Sequence, residues 1–152
     1  MAQDKFDLYI RPLTPEEVGS GGSGFYFTTG FAHTIAVKGF PKLLCQWMRI
    51  FMTPKGSDPI EPTLGTEFSK LIGSNVGVIE DLRDVVMLAV QDCNTQLSYM
   101  QRGRVQAADE TLLSASLVGF DTNGRDGFDA YVTLKNLKGN EATVALPPVV
   151  TR

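Results

Sequence analysis

Residues 76 to 101 read VGVIEDLRDVVMLAVQDCNTQLSYMQ, and this stretch decides the fold. Ile79, Leu82, Val86, Ala89, Cys93, Leu97 and Met100 recur at steps of three or four, the spacing of one face of an α-helix. The intervening positions hold Glu80, Asp81, Arg83, Asp84, Gln91, Asp92, Asn94 and Gln96. The pattern predicts a long amphipathic helix with a solvated polar face, capped by Asn75, with its early carboxylates where the helix dipole favours negative charge.

Downstream of Gly103 the period changes from helical to alternating. Leu113, Ala115 and Leu117 alternate with serines. Phe128, Ala130, Val132 and Leu134 alternate with Asp129, Tyr131, Thr133 and Lys135, and Ala142, Val144 and Leu146 follow a Lys138-Gly139-Asn140 turn. Between the first two runs, DTNGRDG at 121 to 127 supplies Asn-Gly and Asp-Gly pairs that accept positive φ, which predicts an antiparallel hairpin. Pro147-Pro148 is expected to end the sheet and leave an extended tail, Val149 to Arg152. A three-stranded sheet of this kind has one apolar face, and the long helix carries a stripe that covers it.

Upstream, Pro41 suits the first turn of a helix in which Leu43, Leu44, Trp47, Ile50 and Phe51 form one stripe, and Thr53-Pro54-Lys55-Gly56 stops it. A short helix is expected over 65 to 73, with Phe68, Leu71 and Ile72 inward. Residues 1 to 39 mix isolated apolar positions with GSGGSG at Gly19 to Gly24 and read as an extended arm with a flexible linker. Phe25, Tyr26, Phe27 and Phe31 lie beside that linker outside any periodic element, and packing either on a partner protein or on the chain's own core accounts for them. The expected organisation is an arm over 1–39, one α+β domain over 40–148 and a tail over 149–152. In it, two shorter helices and one long helix pack on a small C-terminal antiparallel sheet.

Composition narrows the function. The 152 residues carry 14 Lys and Arg against 17 Asp and Glu, a formal net charge of −3, and no basic run stands ready to neutralise phosphates, so nucleic acid is not an expected partner. No apolar run approaches membrane-spanning length and no secretory signal pattern opens the chain, so no membrane partner is expected and synthesis belongs in the cytoplasm. Cys45 and Cys93 sit among apolar residues, as buried reduced thiols do. His33, the single histidine, lacks a nucleophile motif around it, and one His with two distant Cys gives no zinc spacing. The glycine-rich stretch lacks the ending of a phosphate loop, and the Asp121, Asn123 and Asp126 loop has Val132 where a calcium loop needs Glu. Glu61 with Glu67 or Asp81 would be the carboxylates of a small cell-wall glycosidase, on no more than their presence. No catalytic residue, metal or cofactor is therefore expected, and docking onto other proteins is.

Two short runs carry a resemblance. Leu44-Cys45-Gln46 leads to Met52-Thr53-Pro54-Lys55-Gly56-Ser57, and Pro62-Thr63-Leu64-Gly65-Thr66-Glu67-Phe68 follows. With the order helix, Gly/Pro turn, short helix, long helix, strands over about residues 35 to 146, the chain resembles the gene-25-like, or GPW, family. These are inner-wedge, sheath-initiating proteins of contractile phage-tail baseplates, found also in type VI secretion machines. The family's long helix ends in an aromatic residue followed by Glu-Pro-Arg; here Tyr99-Met100-Gln101-Arg102 keeps the aromatic and the arginine only.

The resemblance implies a virion protein, present in six copies, that docks wedge and tail tube or hub proteins through its helices and sheath protein through β-strand addition. The strand would be added at 128 to 136, through Phe128, Ala130, Val132 and Leu134, or at 141 to 146, through Ala142, Val144 and Leu146, with the 149–152 tail. It implies structural roles for Pro62, Gly65, Phe68 and Tyr99, and a partner contact for Arg102. A head-to-tail connector of similar size is the alternative within tail structural proteins.

Overall fold

The computed structural model describes residues 9–12, 25–28, 38–71, 79–122, 127–146 and 149–150. Two α-helices and an antiparallel sheet enclose a common core, which gives the expected α+β class. Helix α1 spans Phe40–Met52 and α2 spans Ile79–Gln101. Strands β1 (Tyr9–Pro12) and β2 (Phe25–Thr28) pair with each other. The main sheet has β3 (Leu112–Thr122), β4 (Gly127–Asn136) and β5 (Glu141–Ala145) in that order, with β6 (Val149–Val150) also on β4.

Helix α1 begins at Phe40 with Pro41 in its first turn, where a missing N–H costs nothing. Gly39 precedes it with φ +69 and offers no side-chain cap, so the cap is tertiary: Glu110 Oε1 accepts the Gly39 N–H at 3.0 Å and Oε2 accepts from Lys42 Nζ at 2.7 Å. These contacts hold the Glu110 carboxyl below its ordinary pKa, the Lys42 hydrogen bond contributing most. The other end stops at Thr53, whose Oγ1 donates to Arg49 O at 2.6 Å ahead of Pro54.

The buried face of α1 carries an aromatic cluster that reaches Phe68. Trp47 stacks on Phe51 at 4.9 Å, and Phe51 contacts Phe68 at 4.6 Å. Leu82, Val86, Ala89, Cys93 and Leu97 are buried along α2, as their spacing requires. Both cysteines are free and buried, and Cys93 Sγ donates to Trp47 O at 3.3 Å. Burial pushes the Cys93 thiol well above its ordinary pKa, and the neighbouring Asp92 raises it further, so it stays protonated and non-nucleophilic.

Several expectations are corrected. In place of a helix over 65 to 73 there is one 3-10 turn, Phe68–Leu71, because Gly65 holds φ +103 and Pro54 bridges Thr66 in parallel, keeping this segment out of helical geometry. Residue 72 and the start of the long helix, 76 to 78 with Asn75, lie outside the described residues. The polar face of α2 is not uniformly solvated: Asn94 and Gln96 are partly buried and bonded to other elements.

Strand β3 departs from simple alternation because its register with β4 shifts between Leu112 and Ser114 and between Leu117 and Gly119. These irregularities turn Leu113 and Val118 outward, 55% and 58% exposed, while Leu112 takes the inward place expected of Leu113. Residues 149 and 150 do not hang free of the sheet. Their pairing with Phe128 and Gly127 resumes beyond Pro147-Pro148, on the flank of β4 that β5 also occupies.

Candidate interaction surfaces

The residues expected to receive a partner strand divide sharply once the topology is known. Strand β4 is central, with β3 on one flank and β5 and β6 on the other, so its main chain has no open edge. Phe128, Ala130, Val132 and Leu134 are core residues, each no more than 2% exposed, and the proposal that they meet a partner is corrected on that ground. Phe120 stacks on Phe128 from β3 at 4.9 Å.

Val144 and Leu146 are likewise buried and Ala142 is partly so, so their side chains face inward. The main chain of β5 is a different matter. Leu146 N donates to Ala130 O at 2.8 Å and Asn136 N to Asn140 O at 3.0 Å, and alternation between these pairs makes Ala142 and Val144 the residues bonded to β4. The N–H and C=O groups of Glu141, Thr143 and Ala145 therefore point away from the sheet. Thr143 and Thr133 share a hydroxyl hydrogen bond at 2.8 Å, and Lys135 pairs with Glu141 at 3.2 Å. Strand β5 thus presents a regular edge, whereas the opposite edge strand, β3, is broken twice by register shifts that spoil it as a template.

The Pro62 to Phe68 motif builds the second surface. Thr66 Oγ1 donates to Phe51 O at 2.7 Å, satisfying a carbonyl that the end of α1 leaves without a partner in its own helix. Thr66 N donates to Thr53 O at 2.9 Å and Lys55 N to Thr66 O at 3.1 Å. A Cβ on Gly65 would stand 2.3 Å from Thr53 O, so the approach of the two chains requires glycine there. Gln96 on α2 then grips Gly65 from the other side, accepting from its N–H through Oε1 and donating to its C=O through Nε2, both at 2.8 Å. The structural role expected of Gly65 and Phe68 has this form, while Pro62 lies exposed on the preceding turn.

The same device recurs along α2. Asn94 accepts from Trp47 Nε1 at 2.9 Å and donates to Ala115 O at 2.8 Å, tying α1 to β3. Gln101 donates to Glu110 O at 3.1 Å and accepts from Leu112 N at 3.0 Å, fixing the entry into the sheet. Sequence reading placed Asn94 and Gln96 on a water-facing surface. The helix carries four amides, Gln91, Asn94, Gln96 and Gln101, and all but the exposed Gln91 bond across to other segments.

Between the motif and the end of α2 lies a groove of about 710 Å³ lined by Glu61, Thr63, Leu64, Gln96, Tyr99, Met100, Arg102, Gly103 and Arg104. It brings together Tyr99, 75% exposed, and Arg102, also exposed, at the margin of the motif. Phe25, Tyr26 and Phe27 stand elsewhere: they belong to β2, in register with Pro12, Arg11 and Ile10, and so are part of a strand and not of an irregular segment. His33, Phe31 and the Gly19 to Gly24 stretch lie outside the described residues.

The carboxylates nominated for hydrolysis have other surroundings. Glu67 pairs with Lys70, Asp81 is exposed on α2, and Glu61 lies exposed on a loop whose N–H groups at 60 and 61 are held by Asp58 Oδ1. Among the described residues no group of three or more His, Cys, Asp or Glu could hold a metal, and no helix is long and apolar enough to cross a membrane. Asn123 and Asp126 of the hairpin loop lie outside the described residues.

Among the described residues, fold and surfaces together define an α+β domain with a regular open sheet edge at β5 and a groove at the end of α2. Comparison with family models, with curated proteins and with solved structures gave no match.

Proposed function

We propose that this chain is a structural assembly protein of a contractile tail baseplate, an inner-wedge component that starts the sheath by accepting one of its strands along β5. The observation that carries the proposal is the regular edge of β5, with outward main-chain groups at Glu141, Thr143 and Ala145. An incoming extended arm would gain main-chain hydrogen bonds there and take its register from alternate side chains. The motif order shared with the gene-25-like family supplies the identity of that arm as sheath protein, and wedge and tube or hub proteins as the neighbours on the helical side. Six copies around a tail tube would make each weak contact effective through high local concentration. In this reading the protein does no chemistry.

The test is Thr143→Pro. It removes an outward N–H while leaving the bonds of Ala142 and Val144 to β4 in place, a position where an edge strand tolerates proline. In producing cells lacking the native gene, Thr143→Pro should give baseplates without extended sheath, and Thr143→Ser should restore sheathed tails. Sheathed tails in normal number with a folded Thr143→Pro protein would refute strand addition at β5.

A further inference from the structure

The groove at the end of α2 carries an inference of its own. One wall is rigid, because Gln96 is fixed to both polar groups of Gly65. On the same face of α2 as Gln96 stand Tyr99, three-quarters exposed, and Met100, partly buried. Arg102 and Arg104 complete the lining, both exposed, and among the described residues neither guanidinium has a hydrogen-bond or ion-pair partner.

Arginines just past a helix end commonly serve the last carbonyls of the helix. Here backbone donors reach three of the last four carbonyls: Arg102 N bonds to Ser98 O and Tyr99 O, and Arg104 N to Gln101 O. Among the described residues nothing engages the guanidinium groups. Glu61 is the single acid in the lining, set against the two arginines, on a chain whose net charge is −3. The cavity volume falls within the range of about 300–1,000 Å³ that takes small ligands or a few residues of peptide.

We infer that this groove binds an extended acidic peptide segment of a partner protein. Carboxylates would pair with Arg102 and Arg104, where the planar fork allows two parallel hydrogen bonds, and an apolar or aromatic side chain would lie over Tyr99 and Met100. Charge complementarity selects this occupant: the negative chain repels an acidic segment elsewhere and attracts it here. The inference does not rest on the baseplate reading, since it needs only the groove and its two cations.

The experiment uses the full chain and a fluorescein-labelled set of peptides of about eight residues that alternate Asp or Glu with Phe or Leu. A matched set carries Asn and Gln in place of the acids. Anisotropy should show the acidic set binding at least about tenfold more tightly than the amide set, and weakening as salt rises from about 50 to about 300 mM. Arg102→Glu and Arg104→Glu should each lose about tenfold, and Tyr99→Ala several-fold. Lys138→Glu, an exposed cation in the β4–β5 turn, should stay within about twofold. Equal binding of the two peptide sets, no binding of either, or an equal loss in Lys138→Glu would each overturn the inference. So would equally tight, equally arginine-dependent binding of a short single-stranded oligonucleotide, which would make the groove a general polyanion site.

Discussion

Substituting Gly65 with alanine should destabilise the protein far more than the same change at Gly56. Both glycines hold positive φ, +103 and +86, so both alanines carry backbone strain of about 1–2 kcal/mol. Around Gly56 an added Cβ meets nothing within 4 Å. At Gly65 it would lie 2.3 Å from the carbonyl oxygen of Thr53 and 2.9 Å from its carbon, and both are backbone atoms that no rotamer change can clear. The 53–55 and 65–66 segments must therefore separate. That movement stretches the Thr66–Thr53 and Lys55–Thr66 bonds and pulls Thr66 from Phe51 O and Gly65 from Gln96. Loss of two or three such part-buried bonds adds roughly 2–3 kcal/mol, which brings Gly65→Ala to about 3–5 kcal/mol against about 1–2 kcal/mol for Gly56→Ala. Urea unfolding followed by far-UV circular dichroism measures both. With a slope of about 2 kcal/mol/M, the Gly65→Ala midpoint should fall by roughly 2 M and the Gly56→Ala midpoint by less than about 1 M. Equal losses at the two positions would refute the claim that close backbone approach, and not conformational strain alone, fixes Gly65.

Asn94→Leu leaves the Trp47 indole N–H and the Ala115 carbonyl without their present partner; it should cost about 2–3 kcal/mol and blue-shift Trp47 fluorescence, and an unchanged melting midpoint would count against the bridge. Glu110 has its folded-state pKa lowered by Lys42 and Gly39, so its contribution is present above the ordinary carboxylate pKa and is lost as pH falls toward the folded value. Stability should therefore drop between about pH 5 and about pH 3 more steeply in the native protein than in Glu110→Gln, which should itself cost about 1 kcal/mol near neutral pH; parallel pH curves would show that the tertiary cap is not charge-dependent.

What sequence could reveal here follows the range over which each signal acts. The α1 and α2 stripes were legible because helical spacing is local, and Trp47, Phe51, Val86 and Leu97 are all buried as it requires. Alternation likewise located β4 and β5 and their inward residues. It failed in β3, where two adjacent apolar pairs, Leu112-Leu113 and Leu117-Val118, each fit either phase and the register shifts depend on pairing with β4. Strand order was equally hidden: nothing local to Phe128 or Val132 says that both flanks of their strand are filled. Gly65 was recognisable as a required turn residue, but its grip by Gln96 spans 31 positions, and the Glu110 cap on Gly39 spans 71. The pairing of Tyr99 with Arg102 was legible from the helix-end motif, whereas their meeting with Glu61, Thr63 and Leu64 in one groove depends on the Gly65 contact that brings that loop to α2.

The most direct measurement is to locate the chain in tailed particles purified from producing cells, with a C-terminal tag labelled by gold and imaged by electron microscopy. The account predicts label at the distal end of the tail, at the base of the sheath, in particles whose protein content includes this chain by mass spectrometry. Label confined to the head-to-tail junction, or particles that lack the chain altogether, would contradict it.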